Sequence, residues 1–217
     1  MSMEPQQDYN YNGYNQRPYR QNPFTRMNIS VTMGLVVVNI LVFLIIELTG
    51  STEDSAVMVR WGAMFTPYIQ ENGQYWRLFT ALFLHFGIRH LLNNMLLLYV
   101  LGITLEETVG KIRYVLIYLI AGLGANVVSY ALNVKQNTAV VSAGASGAVF
   151  AILGALIWVL IANRGRLKDY TLKNLIFMAA LSLYFGFTSS GVDNAAHVAG
   201  LLLGFLLSFL LYRRRSY

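Results

Sequence analysis

The chain has 217 residues, of which 56% are apolar and only 12% are charged, and its mean hydropathy is +0.49. A soluble domain carries about 25% charged residues, so the composition excludes an ordinary soluble enzyme. At roughly 20 residues per span, the apolar content is enough for about six transmembrane helices and short loops. The sequence therefore predicts an all-α polytopic membrane protein.

Cysteine content and charge exclude several kinds of site and one class of partner. Because the chain has no cysteine, disulfides, thiolate metal sites and a cysteine nucleophile are excluded. A net charge of +6 would suit a nucleic-acid partner, but the basic residues lie at the ends of apolar segments, where they orient membrane helices. We therefore expect the lipid bilayer, and no nucleic acid, to be the partner of these charges.

In chain order, the first segment is a polar tail over residues 1–26, rich in Tyr, Asn, Gln and Arg. It holds too little apolar surface to offset the entropy cost of ordering it, which predicts a disordered tail. Residues 27–217 follow as a membrane domain. Hydropathy predicts six spans in this domain, at about 29–48, 79–101, 112–132, 142–162, 171–188 and 194–212.

The connection over residues 49–78 is the only long one between the predicted spans. It carries the aromatic residues Trp61, Phe65, Tyr68 and Trp76. Amphipathic rings of this kind favour the headgroup layer of a membrane. We therefore expect this loop to lie in the headgroup layer.

The basic residues also predict the orientation, because cytoplasmic loops are enriched in Lys and Arg. With the N-terminus inside, three of them fall on the outer side, namely Arg60, Arg77 and Lys135. Twelve fall on the inner side: Arg17, Arg20, Arg26, Lys111, Arg113, Arg164, Arg166, Lys168, Lys173, Arg213, Arg214 and Arg215. This bias predicts that both termini are cytoplasmic.

All three histidines fall inside predicted spans, His85 and His90 in the second and His197 in the sixth. Ionisable side chains are costly within a bilayer and usually face the interior of a helix bundle. Each histidine is therefore a candidate functional residue.

Small residues recur at helical spacing in the fourth and sixth predicted spans, in the runs SGAVFAILGA at 146–155 and AHVAGLLLGFLLS at 196–208. Such faces let two helix backbones approach closely, and packing them together would bring Ser146 towards His197. Each of these two residues lies about three or four positions into its predicted span, which is a depth of roughly 5 Å at 1.5 Å per residue.

Both residues also have an ordinary structural explanation. Ser146 alone would be a packing residue that bonds the carbonyl one turn back. His197 alone could equally make a hydrogen bond between helices. Their matched depth beside complementary faces favours a joint chemical role.

The second predicted span contributes polar residues in the run HFGIRHLLNN at 85–94. His90 and Asn94 are four residues apart, so they project from one face of a helix. Together they could donate hydrogen bonds to a developing negative oxygen, whereas His85 would lie about 140° away around the same helix. A zinc site is the competing hypothesis, although the chain lacks both an HExxH pair and any thiolate.

Three motifs, HFGIRHLLNN at 85–94, GASG at 144–147 and NAAHVAGLLLG at 194–204, together resemble those of the rhomboid family of intramembrane serine proteases. The resemblance runs from about residue 55 to residue 212. Trp76 and Arg77 match the family's WR motif. Glu106 matches a glutamate that the family keeps near the end of the second span.

The resemblance implies a six-transmembrane-helix bundle of rhomboid type with a serine–histidine dyad and no third, acidic member. Ser146 would be the nucleophile and His197 its general base. The side chains of His90 and Asn94 and the backbone N–H of Ser146 would hold the oxyanion. No metal ion or other cofactor is expected.

Other residues take supporting roles by the same resemblance. His85 would line a water-accessible cavity, and Asn194 would organise the start of the sixth helix. The loop at 189–193 and the fifth helix would form a substrate gate. Where many members have tyrosine this chain has Phe150, which keeps an aromatic face for the histidine to stack on and loses the hydroxyl.

The glycines of the motifs are expected to have structural roles. Gly200 and Gly204 would admit the fourth helix closely enough for the dyad to form. Gly144 and Gly147 flank the proposed nucleophile in the GASG motif.

These expectations lead to a serine endopeptidase that cleaves transmembrane protein substrates near the outer boundary of the bilayer, in a bacterial cytoplasmic membrane. The alternative is a non-catalytic carrier or client-binding protein that uses the same polar cavity. Transporters usually show internal repeats and paired broken helices, and neither is evident in the sequence. The physiological substrate and the oligomeric state stay open.

Overall fold

The computed structural model of the protein describes residues 30–165, 167, 170–188 and 191–213. Several sequence-based expectations lie outside these residues. They are the polar tail over 1–26, the basic residues Arg166, Lys168, Arg214 and Arg215, and positions 189 and 190 of the expected gate loop.

The described residues are mostly helical. The helices are α1 (Val31–Thr49), α2 (Ser55–Trp61), α3 (Thr66–Asn72), α4 (Arg77–Thr80), α5 (Gly87–Val109), α6 (Lys111–Leu116), α7 (Gly122–Lys135), α8 (Ser146–Ala162), α9 (Leu172–Thr188) and α10 (Asn194–Leu211). A π-helical segment, Ile117–Ala121, joins α6 and α7 into one helix of 25 residues. A short 3-10 helix, Ala81–Phe83, follows α4.

Four of these helices are long and apolar enough to cross a membrane, namely α1, α5, the continuous helix Lys111–Lys135 and α10. Helices α8 and α9 are also apolar but have 17 residues each. That length is at the short end of the range of about 17–25 residues for a spanning helix. The spans predicted from hydropathy agree with these six helices to within a few residues, except at both ends of the second, which the structure has at Gly87–Val109 and not at 79–101, and at the start of the fourth.

The second long helix begins at Gly87 and not near residue 79 as predicted. Phe86 is extended and Gly87 has a φ of +69°, which a helix interior does not accommodate. His85 therefore lies in the segment before α5 and not on the helix, so the predicted angle of 140° between His85 and His90 was wrong. Hydropathy missed this break because an average over a span-length window stays apolar across it, whereas the break depends on the backbone conformation of two residues.

The fourth long helix begins at Ser146 and not near residue 142. Strand β2 (Val141–Ser142) instead pairs with β1 (Met64–Phe65) in an antiparallel arrangement, a small departure from the all-α prediction. Ser146 is therefore the first residue of its helix, and the predicted depth of four residues was wrong. His197 is the fourth residue of α10, as the sequence predicted.

Helix α8 is the centre of the bundle. Every residue from 147 to 156 is buried, so the helix has no exposed face along that length. It packs against α5, α7, α9 and α10. A helix that is apolar on all sides is stable only when neighbours surround it, and this arrangement puts Ser146 at one end of the protein's core.

Candidate active site

Bare glycine backbone forms the contact between α8 and α10. A Cβ atom added at Gly200 would overlap the carbonyl oxygen of Gly147, and one at Gly204 would overlap that of Ala151. On the opposite side, a Cβ atom at Gly154 would overlap the carbonyl oxygen of Leu201. The predicted packing of the two small-residue faces is therefore present, and the two backbones touch directly.

This contact brings the first turns of α8 and α10 together. A Cβ atom on Gly147 would lie 3.7 Å from the carbonyl oxygen of Ala196. Gly147 follows Ser146, and Ala196 precedes His197. The two candidate catalytic residues are thus the immediate neighbours of residues in contact.

The ring of His197 stacks on the ring of Phe150, with centroids 4.3 Å apart and planes inclined by 14°. Phe150 lies one helical turn after Ser146, so the two share a face of α8. The imidazole is therefore held over the face that begins with Ser146. No hydrogen bond joins the Ser146 hydroxyl to His197 within the described part of the chain.

His197 is buried, with 8% of its surface exposed, and its Nδ1 atom has no hydrogen-bond partner among the described residues. Within the described ranges, no carboxylate is hydrogen-bonded to this imidazole; the carboxylate of Asp193 interacts with it only through its charge. The aromatic stack on Phe150 and the packing of α10 on α8 are the contacts that hold its ring.

The GASG motif forms a short loop that leads into Ser146. The N–H of Gly144 donates to the carbonyl of Ala81 at 2.9 Å, and the N–H of Ala145 donates to Nε2 of His85 at 3.3 Å. Gly144 has a φ of +152°, a conformation that favours glycine. These two hydrogen bonds fix the loop at the start of α8.

His90 lies directly beside this loop. A Cβ atom on Gly144 would be 2.8 Å from Cε1 of His90 and 3.5 Å from Oγ of Ser146. The missing side chain of Gly144 therefore leaves the space that the His90 ring fills, next to the candidate nucleophile. Gly144 thus has a steric role as well as a conformational one.

His85 holds the GASG loop in place through its hydrogen bond with Ala145. Its side chain is fully buried, and its ring lies 5.2 Å from that of His90, measured between centroids. Burial, with a smaller contribution from His90, lowers the pKa of His85 to about 3. The side chain is therefore neutral, as it must be to accept a hydrogen bond from the N–H of Ala145.

Asn94 lies on α5 one turn beyond His90 and is also buried. Its amide nitrogen donates to the backbone carbonyl of His90 at 3.1 Å. An amide nitrogen carries two hydrogens, so one donor of Asn94 is left after this bond.

A family model described as a rhomboid domain matches residues 72–214, which is more than half of the chain. The chain belongs to the rhomboid family. It is accordingly an integral membrane protein, with apolar helices of spanning length and composition.

Three relatives illustrate how this rhomboid compares with known proteins. It is 37% identical over 174 residues to "Rhomboid protease GluP" of Bacillus subtilis, covering 80% of this chain and 33% of that protein. It is 40% identical over 169 residues to "RHOMBOID-like protein 2" of Arabidopsis thaliana, covering 75% and 50%. It is 33% identical over 145 residues to "Putative rhomboid protease YdcA" of Bacillus subtilis, covering 67% and 71%.

This rhomboid thus spans a third of GluP and half of the plant protein. The family match over residues 72–214 contains every candidate site residue described above. The relatives come from a bacterium and from a plant.

Arg77 and Glu106, which match residues of the family, form hydrogen bonds that connect different segments of this rhomboid. The buried guanidinium of Arg77 donates to the carbonyls of Val59 and Ala63 and to the side chain of Gln74, at 2.5 Å, 3.1 Å and 2.7 Å. It also lies 4.6 Å from the ring centroid of Trp76. Arg77 therefore holds together the segments of the loop that precedes α5.

Glu106 accepts four hydrogen bonds at the start of α1. They come from the Ser30 hydroxyl, from the N–H groups of Val31 and Thr32, and from the Thr32 hydroxyl, at 2.7–2.9 Å. A carboxylate at this position satisfies N–H groups that a helix leaves unpaired and complements the helix dipole. Glu106 thus attaches α1 to α5.

Asn194 contacts the neighbouring helix α9. A Cβ atom added at Gly186 would overlap Oδ1 of Asn194, so this side chain packs against bare backbone. Asn194 Oδ1 itself has no hydrogen-bond partner within the described residues. The first residue of α10 therefore marks a close approach to α9.

Sequence reasoning missed Asp193, which caps α10. Its Oδ1 accepts from the N–H of Ala196 at 3.0 Å, and its Oδ2 accepts from the hydroxyls of Ser129 and Ser142. Aspartate immediately before a helix is a common N-cap residue, which was the available local signal. The two serine contacts cross 64 and 51 residues of chain, and no local pattern predicts them.

Proposed function

We propose that this rhomboid is an intramembrane serine endopeptidase with Ser146 as the nucleophile and His197 as the general base. The observation that carries the proposal is the stacking of the His197 ring on Phe150, on the face of α8 that begins with Ser146. The names of the relatives GluP and YdcA, both described as rhomboid proteases, support the same reaction class.

The chemistry follows from the properties of the two side chains. A serine hydroxyl is a weak nucleophile until a base removes its proton. Nε2 of His197 would take that proton as Ser146 Oγ attacks the scissile carbonyl, and would then return it to the leaving amine. A water molecule, activated by the same imidazole, would hydrolyse the acyl-enzyme and free Ser146.

The negative oxygen of the tetrahedral intermediate needs donors that are already in place. The N–H of Ser146 is available because the first N–H groups of a helix have no partner within it, and the positive end of the α8 dipole lies there. The ring of His90, which packs against Gly144 beside Ser146, would supply a second donor. The free amide hydrogen of Asn94 would supply a third after a rotation of its side chain.

The substrate would be a transmembrane segment of another protein. All six long helices would cross the bilayer, with both termini in the cytoplasm and the site opening to the outer face, as the distribution of basic residues favours. Helix α9 and the loop at 189–193 would form the entrance for the substrate. The proposed location is a bacterial cytoplasmic membrane.

Labelling with a fluorophosphonate probe tests the proposal directly, because such probes modify only activated serines. We expect the purified protein in detergent to be labelled at Ser146 and to cleave a model transmembrane substrate. Ser146→Ala and His197→Ala should each lower cleavage by about 10³-fold or more and abolish labelling.

Ser208→Ala is a matched control, since Ser208 is a fully buried serine of α10 on the same small-residue face. It removes a hydroxyl of the same kind without touching the first turns of α8 and α10. This variant should be labelled and should cleave at the rate of the unaltered protein. A folded protein that is neither labelled nor able to cleave would instead support the non-catalytic carrier hypothesis.

A further inference from the structure

Asp193 connects three elements that surround the proposed dyad. Its Oδ1 accepts from the N–H of Ala196 at 3.0 Å and so caps α10. Its Oδ2 accepts from the hydroxyl of Ser129 on α7 at 2.5 Å and from that of Ser142 on β2 at 2.9 Å. Both carboxylate oxygens are therefore occupied, and the side chain is fixed in one orientation.

The bond between Ser142 and Asp193 spans the two chain segments that carry the proposed reaction. Ser142 lies four residues before Ser146, and Asp193 lies four residues before His197. The first interval is held by the hydrogen bonds of the GASG loop to Ala81 and His85. The second is one turn of helix, in which the N–H of His197 donates to the carbonyl of Asp193 at 3.1 Å.

A glycine-lined contact sets how closely two helices approach, but a smooth face resists sliding and rotation only weakly. A polar contact that is satisfied in a single arrangement can specify the register of such helices. Between α8 and α10, the bond from Ser142 to Asp193 is placed to do this at the end where Ser146 and His197 lie.

We propose that Asp193 is a positioning residue that sets the register of His197 against Ser146. The inference rests on the proposed function, because a register matters in this way only if the two residues react together. Among the described residues, the side chain of Asp193 makes no hydrogen bond to either residue of the dyad, so its hydrogen bonds act through the backbone of α10 and through Ser142. Its negative charge also interacts with His197, and Asp193→Asn, which removes the charge but can keep the hydrogen bonds, separates the two contributions.

The test compares Asp193→Ala with Asp54→Ala in the full-length protein. Asp54 caps α2 through a similar bond, from the N–H of Ala56 to Oδ1 at 2.7 Å, and its side chain makes no hydrogen bond to β2 or α10 in the described part of the chain. Each change removes one helix cap of the same chemistry. Only Asp193→Ala should slow fluorophosphonate labelling of Ser146 and lower kcat, by about 10- to 100-fold, with KM nearly unchanged.

Two further variants separate positioning from capping. Ser142→Ala leaves the cap of α10 intact and removes only the contact between the two segments, so it should lower kcat by several-fold without changing the melting temperature appreciably. Asp193→Asn keeps Oδ1 for the cap, and its amide can donate to the serine hydroxyls, which also accept. It should recover most of the rate that Asp193→Ala loses.

The outcomes distinguish this inference from the proposed function. An unaltered protein that neither labels nor cleaves overturns the proposed function and, with it, this inference. An active protein in which folded Asp193→Ala and Ser142→Ala both keep the unaltered kcat overturns the positioning role alone. A variant that changes KM and keeps the unaltered kcat also contradicts the positioning role. If Asp193→Ala does not fold, the result for Ser142→Ala decides.

Discussion

Helices α8 and α9 have the same length and a similar apolar composition, but their surroundings are opposite. Each has 17 residues, and twelve are buried in α8 whereas three are buried in α9. Helix α8 contacts α10 through bare backbone at three glycines. Helix α9 presents Tyr184, Phe185 and Phe187 outwards, each more than half exposed.

This difference separates two requirements of the proposed reaction. A nucleophile and a base must be held within a fraction of an ångström of their productive positions, which a densely packed pair of helices provides. Access for a substrate requires an element with few buried contacts, because local opening is cheapest there. The structure concentrates packing at α8 and α10 and leaves α9 as the weakly held neighbour.

The largest effect should come from breaking the contact between α8 and α10. Gly200→Val would drive its side chain into the carbonyl of Gly147, so the helices must separate. We expect thermal unfolding in detergent to reveal a loss of about 3 kcal/mol or more in the free energy of unfolding, and cleavage to be lost. The measurement is the melting temperature together with the cleavage rate.

Gly34→Val is the matched control for this change. Gly34 is also a helical glycine with ordinary backbone angles, and a Cβ atom there would meet nothing within 4 Å. The same substitution should therefore leave stability and cleavage nearly unaltered. Equal effects of the two variants would contradict the view that the glycines of the α8–α10 contact are sterically required.

The second prediction concerns Phe150, through which α8 contacts His197. Phe150→Ala removes the ring on which the imidazole stacks, so we expect the cleavage rate to fall about tenfold because His197 loses its orientation. Loss of a buried ring should also cost about 3 kcal/mol of stability. Phe150→Tyr keeps the ring, and should cleave within about twofold of the unaltered rate if its hydroxyl can be accommodated.

Both quantities should be measured on the same samples, with the cleavage rate taken well below the melting temperature. A Phe150→Ala protein that is destabilised but cleaves at the full rate would show that stacking is not needed to orient His197. That result would weaken the contrast between α8 and α9, because the dense packing would then serve stability alone.

The packing of α8 on α10 could be predicted from sequence because it depends on a local pattern. Small residues four apart predict a face, and two such faces predict a contact, so Gly200 and Gly204 were recognised without coordinates. The WR motif and Glu106 were matched by resemblance, while their hydrogen bonds to Val59, Ala63 and the start of α1 became apparent only in the structure.

The helix starts at Gly87 and Ser146 could not be predicted from hydropathy, for a physical reason. Hydropathy averages over apolar residues, whereas these boundaries depend on single backbone conformations, the positive φ of Gly87 and the pairing of β2 with β1. Asp193 was missed because its partners are distant along the chain. Local sequence patterns therefore predicted how α8 packs on α10. The helix starts and the hydrogen bonds of Asp193 became apparent only from the coordinates.

A third and smaller effect should appear at the contact between α9 and α10. Gly186→Ala places a Cβ atom onto Oδ1 of Asn194, but this atom is the end of a side chain that can move. We expect a loss of about 1 kcal/mol in the free energy of unfolding. When Gly186→Ala is introduced into an Asn194→Ala protein, the further loss in the free energy of unfolding should be smaller still, because Asn194→Ala has already removed the overlapping atom.

This double-mutant cycle sharpens the comparison, since it measures how firmly α9 is held where it approaches α10. A loss at Gly186 as large as that at Gly200 would mean that α9 is packed as tightly as α8. In that case α9 would be a poor candidate for the substrate entrance, and another element would have to open.

The smallest effect should come from the exposed aromatic residues of α9. Phe187 has 68% of its surface exposed, compared with 6% for Phe150. Phe187→Ala should therefore change the free energy of unfolding by less than about 0.5 kcal/mol, although it removes the same ring as Phe150→Ala. If α9 forms the substrate entrance, the same variant should change KM for a transmembrane substrate while fluorophosphonate labelling of Ser146 keeps its rate. A large loss of stability would instead mean that the outer face of α9 packs against something in the folded protein, and the contrast with α8 would no longer hold.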